Sequence, residues 1–117
     1  MKCHLYVSLL REDKILIFTV DTQTGKLRTQ GEMKVSGQPA NMAFDPGQQF
    51  IYAGRKAERT ISAYRRNCET GEMSLAGTTP VEFEPDFLAI DRKGRFLMST
   101  LSVKEWRQST RSAATVF

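Results

Sequence analysis

The sequence predicts an all-β fold built of propeller blades. Three observations predict it: a 46-residue self-repeat, short extended segments recurring within each copy, and turn residues at matching offsets in successive copies. Shifted by 46 residues, the chain aligns with itself without a gap, residues 4–49 on residues 50–95. Tyr6 falls on Tyr52, Glu12 on Glu58, Ile15 on Ile61 and Thr24-Gly25 on Thr70-Gly71. Gly31 falls on Gly77, Val35 on Val81, Pro39 on Pro85, Ala43 on Ala89 and Asp45 on Asp91. A third copy opens at Phe96, where Phe96-Leu97-Met98 follows Phe50-Ile51-Tyr52. A period of roughly 40–50 residues holding four strands is the mark of a propeller blade.

The elements follow in order. Segments 4–8, 14–20 and 27–35 read as the second, third and fourth strands of a first blade. Residues 39–79 make a complete blade, with strands at 41–44, 50–53, 60–65 and 72–79. Segments 86–90 and 95–100 open a third. Apolar and β-branched residues enrich these segments at a period near two, as in Met73 and Leu75, which favours strands. Asp45-Pro46-Gly47 and Asp91-Arg92-Lys93-Gly94 separate first strands from second. There Asp accepts backbone N–H bonds, Pro fixes φ and Gly permits positive φ. Asp21-Thr22-Gln23-Thr24-Gly25 and Asn67-Cys68-Glu69-Thr70-Gly71 each end in Gly, as a bulged hairpin requires. The phase places the chain start inside a blade, whose inner strand would come from the far end of a longer chain. Leu5, Val7, Ile15, Ile17, Tyr52, Ile61, Leu88 and Ile90 are the expected core, and Tyr6 and Tyr52 read as packing residues.

Composition narrows the function classes. Of 117 residues, 40% are hydrophobic and 26% charged, which is globular and excludes a disordered tail or a disulfide scaffold. The apolar run at residues 5–10 is too short for a signal core or a membrane span, so a cytoplasmic, membrane-free protein is expected. The net charge is +4, densest at residues 55–66. No nucleic-acid module accompanies it, so it reads as solvated surface or as an anion-attracting rim. Cys3 and Cys68 belong to no metal spacing and His4 is the sole histidine, so no metal, no cofactor and no Ser-His-Asp triad is expected. Both cysteines are expected to be reduced.

Beyond the repeat, the order of Leu5-Tyr6-Val7-Ser8, Ile15-Leu16-Ile17-Phe18, Thr24-Gly25-Lys26-Leu27, Gly37-Gln38-Pro39, Phe44-Asp45-Pro46, Phe50-Ile51-Tyr52-Ala53-Gly54 and Ile61-Ser62-Ala63-Tyr64 is telling. So is Thr70-Gly71-Glu72-Met73-Ser74-Leu75. Over residues 3–100 the chain resembles the N-terminal part of the lactonase family of seven-bladed β-propellers. The best-known activity of that family is 6-phosphogluconolactonase, and it also contains a carboxymuconate-cyclising enzyme. The resemblance implies a ring of roughly 320 residues, of which this chain is about one third. It divides the chain into a partial propeller at residues 1–100 (one blade's strands at 3–35, a whole blade at 39–79, a third begun at 85–100) and a non-family tail at 101–117. Val103-Lys104-Glu105-Trp106-Arg107-Gln108-Ser109-Thr110-Arg111 does not match Thr60-Ile61-Ser62-Ala63-Tyr64. A truncated product with a foreign tail is the expectation.

The resemblance implies hydrolysis of an anionic sugar lactone, which needs an activated water, polarisation of the carbonyl and contacts for the anionic group. Loops 9–13, 36–41, 55–59 and 83–87 are expected at the channel face. Among them Arg55, Lys56 and Arg59 are candidate phosphate partners, and Glu84 and Asp86 candidate bases. Each is otherwise a solvated loop charge. The family places a candidate catalytic His in a later blade; the matching positions here are Asn41 and Phe87, so these blades lack it. The chain alone is therefore expected to be inactive, and its open strand edges to favour self-association. A carboxymuconate-cyclising enzyme and a non-enzymatic interaction platform are the alternatives.

Overall fold

A computed structural model describes residues 3–104 and 110–116. Ten strands are described: β1 (Cys3–Leu9), β2 (Lys14–Val20), β3 (Leu27–Lys34), β4 (Pro39–Phe44), β5 (Phe50–Arg55), β6 (Thr60–Arg66), β7 (Met73–Pro80), β8 (Glu84–Ile90), β9 (Leu97–Lys104) and β10 (Thr110–Val116). A single 3-10 turn, Leu10–Glu12, joins β1 to β2. They form three antiparallel sheets in the orders β1-β2-β3, β4-β5-β6-β7 and β10-β9-β8. Among the described residues no helix is long and apolar enough to cross a membrane.

The repeat is visible in the backbone. Register shifts between Ile17 and Phe18 and between Ala63 and Tyr64, leaving one extra residue on the partner strand, Gln30 in one case and Ala76 in the other. These bulges sit one repeat apart and bend each sheet at the same place. Gly25 and Gly71 take φ of +76° and +81° at equivalent hairpins, where a Cβ would strain the turn. Their amides bond to Asp21 O and Asn67 O, both at 2.7 Å.

Side-chain carboxylates close other turns. Asp45 Oδ1 accepts the Phe50 amide at 2.8 Å, and Asp91 Oδ1 accepts those of Arg95 and Phe96 at 2.7 and 2.9 Å. Amide donation, led by Phe96, holds Asp91 below its ordinary carboxylate range, and amides of Gln23 and Thr24 do the same for Asp21. A depressed folded pKa contributes stability that is present above the ordinary value and lost as pH falls through the folded one. The D21N/D91N double variant, which keeps the acceptor oxygens, is therefore expected to show a flatter fall in urea midpoint between pH 5 and pH 2 than the parent. Parallel curves would show that these carboxylates do not set the acid limb.

Packing occurs face to face between successive sheets. Ile15, Val35, Ala53 and Tyr64 form the buried cluster joining the first two, with Tyr6, Met33, Met42 and Met73 around it. Polar bonds lock the same junction: Tyr6 Oη donates to Gly71 O at 2.6 Å and Ser8 Oγ to Ala40 O at 2.7 Å. Asn41 Oδ1 accepts the Leu88 amide at 3.1 Å, tying β4 to β8.

Two expectations need amendment. Of the predicted core, Ile15, Ile17, Ile61 and Leu88 are buried and Val7, Tyr52 and Ile90 half-buried, but Leu5 is exposed, because among the described residues no sheet covers its face of β1. Strand pairing in the third sheet also continues past residue 100. β9 runs to Lys104, and β10 pairs with it from Thr110↔Lys104 to Val116↔Met98. Of the expected tail, residues 105–109 and 117 lie outside the described residues. Strand pairing is satisfied by backbone groups, and Thr, Ser, Ala and Val in residues 110–116 tolerate it without the apolar pattern of residues 60–64.

Candidate functional site

Antiparallel alternation sends every second connection to the same end of the sheets. Residues 10–13, 35–38, 56–59 and 81–83 gather at one end, which therefore receives the candidate loops; residues 21–26, 45–49, 67–72 and 91–96 gather at the other. The loops of the first end are woven together. Lys56 and Ala57 amides donate to Gln38 O and Gly37 O at 3.1 and 3.0 Å. The Gln38 amide reaches Asp13 Oδ1 at 3.0 Å. Gly37 and Gln38 both take positive φ, +86° and +62°, just before the fully buried Pro39. A Cβ on Gly37 would meet Glu58 Cγ at 2.6 Å. Unlike the other left-handed residues, this pair has no counterpart one repeat on, so it is particular to this loop.

Arg55 stands at the centre. Its side chain is 13% exposed. Nε donates to Ser36 O at 2.7 Å, Nη1 to Ser62 Oγ at 3.2 Å and Nη2 to Ser36 Oγ at 2.7 Å, and Nη2 also pairs with the Glu58 carboxylate. Ser62 is wholly buried and shares a further bond with Thr78 Oγ1 at 3.1 Å. Lys56 pairs with Asp86 at 3.1 Å, so one candidate anion partner and one candidate base meet across the gap between the second and third sheets. Arg59 ends its hairpin at φ +53°, its carbonyl accepting the Val81 amide. Glu84 opens β8 half-buried, without an ion-pair partner among the described residues.

The five candidates thus share one end of the sheets, but only Lys56 and Asp86 pair with each other; Arg55 pairs with Glu58, and Arg59 and Glu84 stand apart. Arg55 and Lys56 are each matched by a carboxylate, and the charge that suggested an anion-attracting rim is largely compensated there. Ser36, Glu58 and Ser62 were not singled out in the sequence. Ser62 carried a signal, a hydroxyl inside an otherwise apolar strand, and a buried hydroxyl needs a partner. Among the described residues no group of three or more His, Cys, Asp or Glu is arranged to hold a metal ion.

The family described as "Lactonase, 7-bladed beta-propeller" matches residues 2–90. The chain belongs to this family. Similarity to curated members agrees: it is 29% identical over 99 residues to a 6-phosphogluconolactonase of Enterobacter sp. (strain 638), covering 85% of this chain and 30% of that protein. Among solved structures it resembles a putative 6-phosphogluconolactonase from Bacteroides uniformis, with TM-score 0.74, 14% identity, and coverage of 96% of this chain and 39% of that one. It also resembles a periplasmic gluconolactonase of Pseudomonas aeruginosa, with TM-score 0.69, 13% identity, and 96% and 37% coverage. These structural likenesses concern the fold. The chain spans about 30% of the length of the curated relatives it matches. This lactonase-family chain is thus a three-sheet section of propeller.

Proposed function

We propose that this chain supplies blades to a lactone hydrolase of the 6-phosphogluconolactonase type, acting on a phosphorylated sugar lactone in the cytoplasm. The observation that carries the reading is membership of the lactonase family across residues 2–90, alongside relatives bearing that name. In such a reaction water adds to the lactone carbonyl, the ring C–O bond breaks, and the departing ring oxygen takes up a proton as the sugar acid forms. Glu84, half-buried and without an ion-pair partner among the described residues, is the better placed base; Asp86 is engaged with Lys56. Arg55 is held by protein acceptors and Lys56 by Asp86, so Arg59 is the cation left to meet a substrate phosphate.

At about 30% of its relatives' length, the chain alone is expected not to raise lactone hydrolysis above the spontaneous rate, and its strand edges to promote self-association. Grafting tests the reading. Residues 2–90 replacing the matching segment of the Enterobacter relative should leave a folded chimera that hydrolyses 6-phosphogluconolactone, followed by NMR. E84Q in that chimera should lower kcat about a hundredfold. A folded chimera without turnover would sink the proposed activity; full activity in E84Q would sink the role of Glu84 alone.

A further inference from the structure

The end of the sheets opposite the candidate site holds a second cationic centre of different character. Arg66, at the end of β6, reaches across to the first sheet. Nε donates to Tyr6 Oη at 3.1 Å, Nη1 to Gln48 O at 3.1 Å and to Cys68 Sγ at 3.5 Å. Nη2 lies 3.0 Å from His4 Nδ1. A guanidinium only donates, so Nδ1 is the acceptor. The Phe44 ring flanks the group at 5.9 Å. None of these partners is a carboxylate, and Arg66 forms no ion pair among the described residues, in contrast to Arg55 and Lys56. Burial pushes the Tyr6 phenol above its usual range, so it stays uncharged beside the guanidinium.

This centre opens onto a cleft of about 590 Å³ between the first two sheets, lined by His4, Thr22, Phe44, Gly47, Gln48 and Arg66. A partly desolvated cation costs free energy unless a counter-charge meets it. The protein supplies neutral acceptors that fix the guanidinium plane, and these leave one Nη2 N–H without an acceptor among the described residues. A planar fork held in this way, in a cleft that Thr22 also lines, suits a tetrahedral oxyanion. We propose that the cleft binds a small phosphate-bearing anion through Arg66, at a site separate from the candidate lactone site and at the opposite end of the sheets.

Titration of the whole 117-residue chain with inorganic phosphate tests this, read by calorimetry and by the Arg66 Nε–H NMR resonance. Saturable one-site binding with a shift of that resonance is expected. R66Q should weaken it at least about tenfold. T22E, which leaves every Arg66 contact in place and puts a carboxylate at the opening, should weaken it similarly and covers the case in which R66Q does not fold. K34Q, an exposed cation at the other end of the sheets, should bind as the parent does. Glucose 6-phosphate binding more tightly than inorganic phosphate assigns the site to phosphate monoesters; the reverse order assigns it to free phosphate. Equal binding by the parent and T22E, or an Arg66 resonance unmoved by phosphate, overturns the proposal.

Discussion

Ile51→Ala is expected to lower the free energy of unfolding by about 3 kcal/mol, whereas Leu5→Ala, the same position one repeat earlier, should cost less than about 1 kcal/mol. Ile51 is 1% exposed and Leu5 40%. The two lie at matching places on matching strands, β5 and β1, so propensity, strand position and local sequence are closely shared. What differs is the neighbour. Ile51 faces the first sheet, across the junction filled by Ile15, Ala53 and Tyr64. Removing three methyl-sized groups there loses transfer free energy and leaves a cavity that well-packed sheets close only in part. Leu5 faces outward, where truncation loses some apolar contact and leaves no void. Urea denaturation of both variants measures the contrast. Equal losses would mean that the open face of the first sheet is covered in solution, and would redirect attention to what covers it.

The same pair shows what the sequence could and could not convey. Period, strand order, hairpin glycines and Asp-closed turns were legible, because each is a local rule repeated at a fixed offset: Asp45 and Asp91 close equivalent turns, and Gly25 and Gly71 take equivalent left-handed conformations. That rule assigns Leu5 to the core. Burial, however, depends on whether a neighbouring sheet is present, and a repeat alignment carries no information on that point. The pairing of β10 with β9 escaped for a related reason. Backbone hydrogen bonds can recruit a segment whose side chains lack the family pattern. At the candidate site the residue types were legible but their pairing was not. Glu58 and Asp86 neutralise Arg55 and Lys56 through contacts between a loop and its neighbours, and +4 net charge says nothing about which cations are already matched. In the sequence Arg66 is one of a dense basic stretch; only the fold separates it from Arg55 by the full length of β6.

Arg55→Met is expected to cost about 3 kcal/mol, while Glu58→Gln should cost less than about 1 kcal/mol. The asymmetry follows from burial. The Arg55 side chain is 13% exposed and Glu58 44%, so the carboxylate can turn to water when its partner is neutralised, but Ser36 O and the buried Ser62 hydroxyl lie where the guanidinium had satisfied them. Methionine keeps the length and apolar bulk of the stem and removes the donors, which isolates the polar loss from a packing loss. The loop carrying Ser36 continues through Gly37 and Gln38, both at positive φ, into Pro39, which opens β4. Arg55 therefore anchors the loop that sets the start of β4, the first strand of the four-stranded sheet, and its loss should raise hydrogen exchange of the Lys56 and Ala57 amides that donate to Gln38 and Gly37. Arg55→Lys should recover little of the stability, since an ammonium cannot reach Ser36, Ser62 and Glu58 from one plane. If Arg55→Met unfolds at the parent's urea midpoint, Arg55 does not clamp this loop, and its guanidinium becomes the leading candidate to meet a substrate anion after all.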